Sequence, residues 1–410
     1  MDTIIGILEA MLRTAVNPAT AGVVIAVIGL NIHFGFTGLL NMGQAGFMLL
    51  GAYGFAISLD QGLPFPVAIL VGLLAAVLFA VLLGAPTLKL RGDYLAIVTI
   101  SAAEIIRYVG RLSNLSEYTG GSQGLRGARY QEPFINLSFL SEDGRWTLPP
   151  EGLYSWLPSS MWAGETGGRI LGLVVLVAAV AGAIFLIKGQ RNRQKELKPG
   201  SDLPFAQRLR TGLAVSGLIF VAVIAVFYIL PLTLDQTKSN GWWVRLVAWS
   251  MVGISLLVAM LLVRSPWGRL LRGIREDEDA VRSLGKNVFA LKMQALIIGG
   301  AFAAIGGMVY VLPSTVQPDN MGRSMTFFIY TALLLGGAAT ILGPLLGTLI
   351  FYPGRILIRE VADAYIPDSI MSSSQTDQFS FIVVGVVLML LVIFRPQGIL
   401  GNKRELRFNV

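Results

Sequence analysis

"TFFIYTALLLGGAATILGPLLGTLIFY" runs from Thr326 to Tyr352 without a single charge. Its 27 residues are more than the roughly 20 that cross a bilayer once, and too few for two full crossings. Gly336, Gly337, Gly343 and Pro344 break it near the middle. Two half-helices meeting inside a membrane satisfy both facts, as interrupted segments at transport sites do. A tilted hairpin packed through small residues satisfies them equally. In either case the freed backbone groups need protein or a watery cavity around them.

The rest of the chain is of the same kind. Of its 410 residues 54% are hydrophobic and 14% charged, with a mean hydropathy of +0.68. A soluble domain carries about a quarter charged residues. The pattern is that of an all-α, polytopic membrane protein, and the alternation of a membrane barrel is missing. Spans are expected at roughly 17–36, 44–59, 67–88, 94–111, 170–187, 212–231, 243–263, 294–312 and 379–394, with the interrupted segment at about 321–360. That makes about nine to ten transmembrane helices in one domain, 1–410, interrupted near 326–352. The loop 112–168 is rich in Pro, Gly and Trp and predicts short interfacial helices. The amino terminus has an early Asp2 and no basic region, so it does not read as a cleavable signal. A small-residue likeness between "GLLNMGQAGFMLLGAY" and "GGAATILGPLLGTLIFY" is a faint hint of an internal repeat.

Lys and Arg set the orientation. Seven lie in the insert 188–210, seven in the segment 264–292, four after Phe394, and Lys89 and Arg91 in a short turn. Together these are 20 of the chain's 32 basic residues. All fall on one side under the expected spans, which is therefore cytoplasmic, with the carboxyl terminus inside and the amino end outside. The net charge of +8 is explained by topology, so no nucleic-acid partner is expected.

Several chemistries are excluded. Cysteine is absent, so there are no disulfides and no thiolate metal sites. The lone histidine, His33, lies in an apolar run and reads as a packed or pore-facing polar residue. No nucleophilic triad can be assembled, and neither catalysis nor a cofactor is expected. A phosphate loop is missing: Gly285-Lys286 is followed by Asn287, and Ala280 stands where its first glycine belongs. Buried acidic groups suited to an ion-driven carrier are few. Glu104 and Arg107, three residues apart, share a helix face and neutralise each other, either on a translocation path or near an interface. In "FGFTGLLNMGQAGFMLLGAY" (34–53) glycines interrupt an apolar stretch, and Asn31, Asn41 and Gln44 bring amides to the same region. These amides can pack helices or meet a polar solute.

"SPWGRLLRGIREDEDAVRSLGKNVFALK" (265–292) is the most charged stretch. Pro266 suits a helix start, and Gly285 suits a stop. Leu270, Leu271, Ile274, Ala280, Val281 and Leu284 make an apolar face. One short amphipathic helix is predicted, with helix resuming at about Val288. Its centre, Glu276-Asp277-Glu278-Asp279, would be repelled by an anionic leaflet. A protein partner suits it better than lipid.

"GLLNMGQAGFMLLGAY", "TISAAEIIRYV", "TGGSQGLRG", the charged string above, "LLLGGAATILGPLLGT" and "FRPQGILG" occur in an order that resembles the LivM-type permease subunits of branched-chain amino-acid importers driven by ATP-binding cassettes. The resemblance covers nearly the whole chain, and its most specific part is Gly268 to Gly285. It implies an ABC-importer permease fold in a bacterial inner membrane, moving branched-chain or neutral amino acids. It implies a LivH-type sister permease, two cytoplasmic ATPase subunits and a periplasmic solute-binding protein. It also implies that the loop 264–292 holds a coupling helix, with Gly268, Arg269, Arg272, Arg275, Glu276, Asp277, Glu278, Asp279 and Gly285 at the ATPase contact. Arg272, Arg275, Glu276 and Glu278 are the first side chains expected to touch the ATPase. Asn31, Asn41, Gln44, Thr99, Glu104, Ser122, Gly336 and Gly337 are expected along the path. Urea and short-amide importers share this family and are the alternative substrates. The insert 188–210 is longer than the loop usual there. An ATP-independent carrier or channel, or a membrane scaffold, is the reading from another class.

Overall fold

The computed structural model describes residues 2–88, 92–135, 174, 177–189, 211, 214, 218, 241–366, 373–395 and 397–401. Nearly all of the expected span 212–231, the basic insert beyond Gly189, most of the loop 112–168, the turn with Lys89 and Arg91, and the tail from Asn402 lie outside the described residues.

The described part is helical, with one isolated β-bridge joining Leu125 and Val316. The helices are α1 (Asp2–Val16), α2 (Pro18–Leu30), α3 (Gln44–Asp60), α4 (Phe65–Thr87), α5 (Gly92–Gly110), α6 (Trp242–Arg264), α7 (Pro266–Glu276), α8 (Glu278–Ser283), α9 (Val288–Val311), α10 (Arg323–Gly336), α11 (Gly343–Tyr365) and α12 (Ser373–Phe394). A wider π-type turn, Asn31–Phe36, continues α2. Among the described residues four helices are long and apolar enough to cross a membrane: Pro18–Phe36, Phe65–Thr87, Val244–Arg264 and Val288–Val311. A shorter apolar helix covers Val177–Gly189, overlapping the expected span 170–187 and running two residues past it.

α2 is the centre. Asn17 caps it by accepting from the Ala19 N–H at 2.9 Å, and Pro18 fills the first helical position. Twelve of its thirteen residues are buried. It packs against α9, and α9 also packs on α3 and α4. Such close approach needs glycine. A Cβ on Gly22 would stand 2.5 Å from the Gly306 carbonyl, and one on Gly306 2.5 Å from that of Gly22. The outside is equally apolar: Leu70, Leu74, Leu78 and Leu82, one turn apart on α4, are all exposed. A helix apolar all round belongs in lipid or a large core.

The interruption falls at 337–342, between α10 and α11. The two helices lie side by side as an antiparallel hairpin. Gly336 meets Gly343, Gly347 meets the Ala332 carbonyl, and the Tyr352 hydroxyl reaches Met325 Sδ at 3.6 Å. The small-residue hairpin is thus the arrangement adopted. α10 has 14 residues, about 21 Å at 1.5 Å each, short of a ~30 Å hydrocarbon core. α11 continues past Tyr352 to Tyr365.

Two further elements depart from expectation. Residues 2–16, read only for their lack of a leader, form α1, which packs along α11. The charged segment is two helices, not one. Asp277 is extended (φ −155°, ψ 103°), and its carboxylate accepts from the Ala280 N–H at 3.0 Å. A carboxylate at a helix start satisfies an orphan N–H and sits at the favourable end of the dipole. Capping therefore wins over continuing the helix.

At the far end of α9 its last carbonyls are satisfied from the loop 113–135. Tyr130 donates to Val311 (2.8 Å), and Gln131 donates to Leu312 (2.7 Å) and Ser314 (3.0 Å). Burial holds the Tyr130 phenol above its ordinary pKa, so it stays a donor.

Candidate functional site

The segment 265–292 folds onto one end of the bundle. Ser265 caps α7 and Pro266 opens it. Gly268 is buried at the corner between α6 and α7, where any side chain would meet the Val263 backbone. Leu271 and Ile274 turn inward. Gly285 is left-handed (φ +73°) and ends α8. Asn287 then caps α9 through the Ala290 N–H at 3.0 Å.

The charges divide into two sets. Arg275 donates to the Gly35 carbonyl in the π-type turn. The Arg272 guanidinium lies 5.5 Å from the centre of the Phe36 ring. Glu278 pairs with Lys292 of α9 and with Arg282. Asp277 is the α8 cap. Arg272, Arg275 and Glu278 thus tie α7 and α8 to the body, while Asp277 serves α8 itself. Arg269, Glu276 and Asp279 are exposed, the Asp279 side chain at 86%. So of the four residues expected to touch a partner first, Arg272, Arg275 and Glu278 also serve internal contacts. Only Glu276 is both exposed and without a structural contact named here. A crevice of about 200 Å³ lies behind this segment, lined by Thr37, Leu39, Leu95, Arg275, Glu278 and Lys292 among others.

Two broken turns sit beside it. One is 37–43, between the π-type turn and α3; the other is 337–342. Asn31 joins them. Its Nδ2 donates to the Thr340 carbonyl at 2.7 Å, and its Oδ1 accepts from the Ala339 N–H at 2.8 Å. Ala339 is left-handed (φ +61°) without being glycine, a conformation that costs on the order of 1 kcal/mol and needs holding. The strap 397–401 closes the other side. Ile399 and Leu400 donate to the Leu335 and Gly336 carbonyls at 3.0 Å each, capping α10. Gly337 (φ +111°) and Gly398 (φ +71°) meet there, too close for a side chain on either.

Deeper in, His33, Asn41 and Gln44 form a fully buried chain. His33 Nε2 lies 3.1 Å from the Leu296 carbonyl, which can only accept, so Nε2 carries the hydrogen. Nδ1 then accepts from Asn41 Nδ2 at 3.1 Å. Asn41 Nδ2 also donates to Gln44 Oε1 (3.0 Å), and Gln44 Nε2 to the Ala26 carbonyl (2.9 Å). Asn41 Oδ1 accepts from the Gly43 N–H at 2.9 Å. These bonds tie the π-type turn, the 37–43 turn and α3 to α2 and α9. Replacing His33 with Phe should cost about 1–3 kcal/mol by leaving one buried N–H of the Asn41 amide without its acceptor, read as a lowered melting temperature of the purified protein in detergent.

The other residues expected along a path are spread out. Thr99 is fully buried and bridges α5 to the first turn, accepting from the Met42 N–H at 3.0 Å. Ser122 is exposed in the loop after α5. Glu104 belongs to a charge cluster at the other end of α9. It pairs with Arg107 at 2.8 Å and Arg323 at 3.5 Å, and Arg107 and Arg111 both reach Asp319. Gly336 and Gly337 lie at the α10–α11 turn, the end opposite Glu104. In this conformation no single open surface gathers all eight. Sequence reasoning missed Arg275's inward contact and the strap. Arg275 follows Leu271 by four residues and so shares its buried face, which was a usable signal.

Comparison with known proteins gives one family and several relatives. The model described as "Branched-chain amino acid transport system / permease component" matches residues 18–392. The chain is 27% identical over 397 residues to the Escherichia coli high-affinity branched-chain amino acid transport system permease protein LivM, covering 96% of this chain and 71% of that one. It is 26% identical over 237 residues to the Pseudomonas aeruginosa permease protein BraD, covering 56% and 64%. It is 28% identical over 157 residues to the Escherichia coli permease protein LivH, covering 38% and 47%. No solved structure matches.

Proposed function

Since the chain belongs to the branched-chain amino acid transport permease component family, we propose that it is the membrane subunit of an ATP-driven importer for branched-chain or neutral amino acids. The match over residues 18–392 is the observation that carries this reading. The charged helices α7 and α8 support it, because they present Arg269, Glu276 and Asp279 outward at one end of the bundle. That end is the cytoplasmic one, with the carboxyl terminus inside, in a bacterial inner membrane. Two ATPase subunits dock there. A sister permease like LivH, to which part of this chain is also similar, completes the membrane unit. A binding protein delivers solute at the opposite face, beside the Glu104 cluster. The chain itself makes and breaks no covalent bonds.

The mechanism is mechanical. ATP draws the ATPases together and displaces α7 and α8. Those helices are tied to the π-type turn by Arg275 and to α9 by Glu278 and Lys292, so the spans follow. Coupling further requires that solute bind the two resulting states unequally.

The test is uptake of labelled leucine and alanine by cells carrying the gene with its operon, against cells lacking this gene alone. ATP-dependent uptake lost on deletion is expected. Uptake of urea in place of amino acids would move the substrate class. Solute flux through the purified chain alone in liposomes, without ATP, would overturn the importer.

A further inference from the structure

We propose that Asn31 is a positioning residue that carries displacement of α7 to the 337–342 turn. The inference rests on the importer reading above. Arg275 grips the Gly35 carbonyl from α7. Gly35 lies one helical turn after Asn31 and against its amide, so closely that a Cβ on Gly35 would collide with Oδ1. Asn31 in turn grips the 337–342 turn by two bonds, one to Ala339 and one to Thr340. Movement of Arg275 therefore reaches Thr340, 309 positions from Asn31 in sequence, through one peptide group and one side chain.

The chemistry at Asn31 is specific. It faces a peptide N–H and a peptide carbonyl side by side, and a carboxamide donates and accepts together. Aspartate would keep the bond from Ala339 and set a carboxylate against the Thr340 carbonyl. Leucine would lose both bonds. The segment around Asn31 is suited to movement: it is a π-type turn, the wider winding that recurs at functional points in helices. Its receiving partner is held by contacts that can be exchanged: the left-handed Ala339, and two strap hydrogen bonds to α10. His33, two residues on in the same turn, is anchored to the α9 carbonyl of Leu296 and, through Asn41 and Gln44, to α3 and α2.

The test uses the complete complex, purified with its sister permease and ATPases, reconstituted in proteoliposomes with the binding protein. ATP hydrolysis and labelled leucine uptake are measured on the same sample for wild type, Asn31→Asp, Arg275→Gln and the double variant. Asn31→Asp should cut uptake about tenfold or more while the assembled complex hydrolyses ATP near the wild-type rate. Because the two residues act in series, the double variant should transport no worse than the poorer single variant. Unchanged uptake in Asn31→Asp with a working wild type overturns the relay and leaves the importer standing. Hydrolysis falling in step with uptake, or losses that multiply in the double variant, also overturns it. A wild-type complex without ATP-dependent uptake overturns the importer reading itself.

Discussion

Gly307→Val should leave little folded protein. Gly307 lies on α9 where it crosses α3, and any Cβ there would meet the carbonyl, carbon and Cα of Met48. Those atoms are backbone, so no rotamer change relieves the clash. The two helices must separate, and the glycine pair Gly22 and Gly306 beside them loses its register. Overpacking a core costs 1–3 kcal/mol when side chains can adjust; here about 3 kcal/mol or more is expected, a large share of a membrane bundle's margin. Melting temperature and monodisperse yield after detergent extraction measure it. Gly253→Val is the control. Gly253 is exposed on α6, and a Cβ there meets nothing within 4 Å. It should change stability by no more than about 0.5 kcal/mol. Equal damage from both would mean that the α3–α9 contact is not what glycine protects.

The second large effect concerns docking. Replacing Glu276 and Asp279 with lysine together should remove uptake, by tenfold or more, while membrane insertion and melting stay near wild type. Both side chains are exposed, and setting like charges against a partner costs several kcal/mol. Reversing all four carboxylates would confuse the result. Asp277 caps α8 and Glu278 holds Lys292, so their loss unfolds the segment locally. Asp277→Ala separates the cases, lowering stability of α8 by about 1 kcal/mol without reversing a surface charge. Co-purification of the ATPases checks that binding, and not turnover alone, has failed. Uptake that survives the Glu276/Asp279 exchange would move the docking face elsewhere.

Much of the fold can be read along the chain because lipid demands it. Every long apolar run among the described residues became a helix, and the break announced by Gly336, Gly337, Gly343 and Pro344 sits between α10 and α11. What could not be read is competition at short range and contact at long range. At Asp277 a single cap overrode the amphipathic pattern. Asn31, Asn41 and Gln44 were visible as amides in an apolar stretch, but whether an amide faces solute or a peptide group depends on partners far away. Ala339 and Thr340 lie 308 and 309 residues from Asn31, and nothing local marks them as a pair. The same holds for the strap, whose glycines are legible as turns but not as a seal on α10.

That strap sets an order of manufacture. Residues 397–401 are synthesised after every helix described here, yet they supply the N–H groups that close α10, made some sixty positions earlier. Until they arrive, the Leu335 and Gly336 carbonyls have no strap to accept from and the α10–α11 turn is unfinished. The α10–α11 turn is therefore the last part of the described bundle to set, so a nascent chain stalled before residue 397 has these helices with the end of α10 still open.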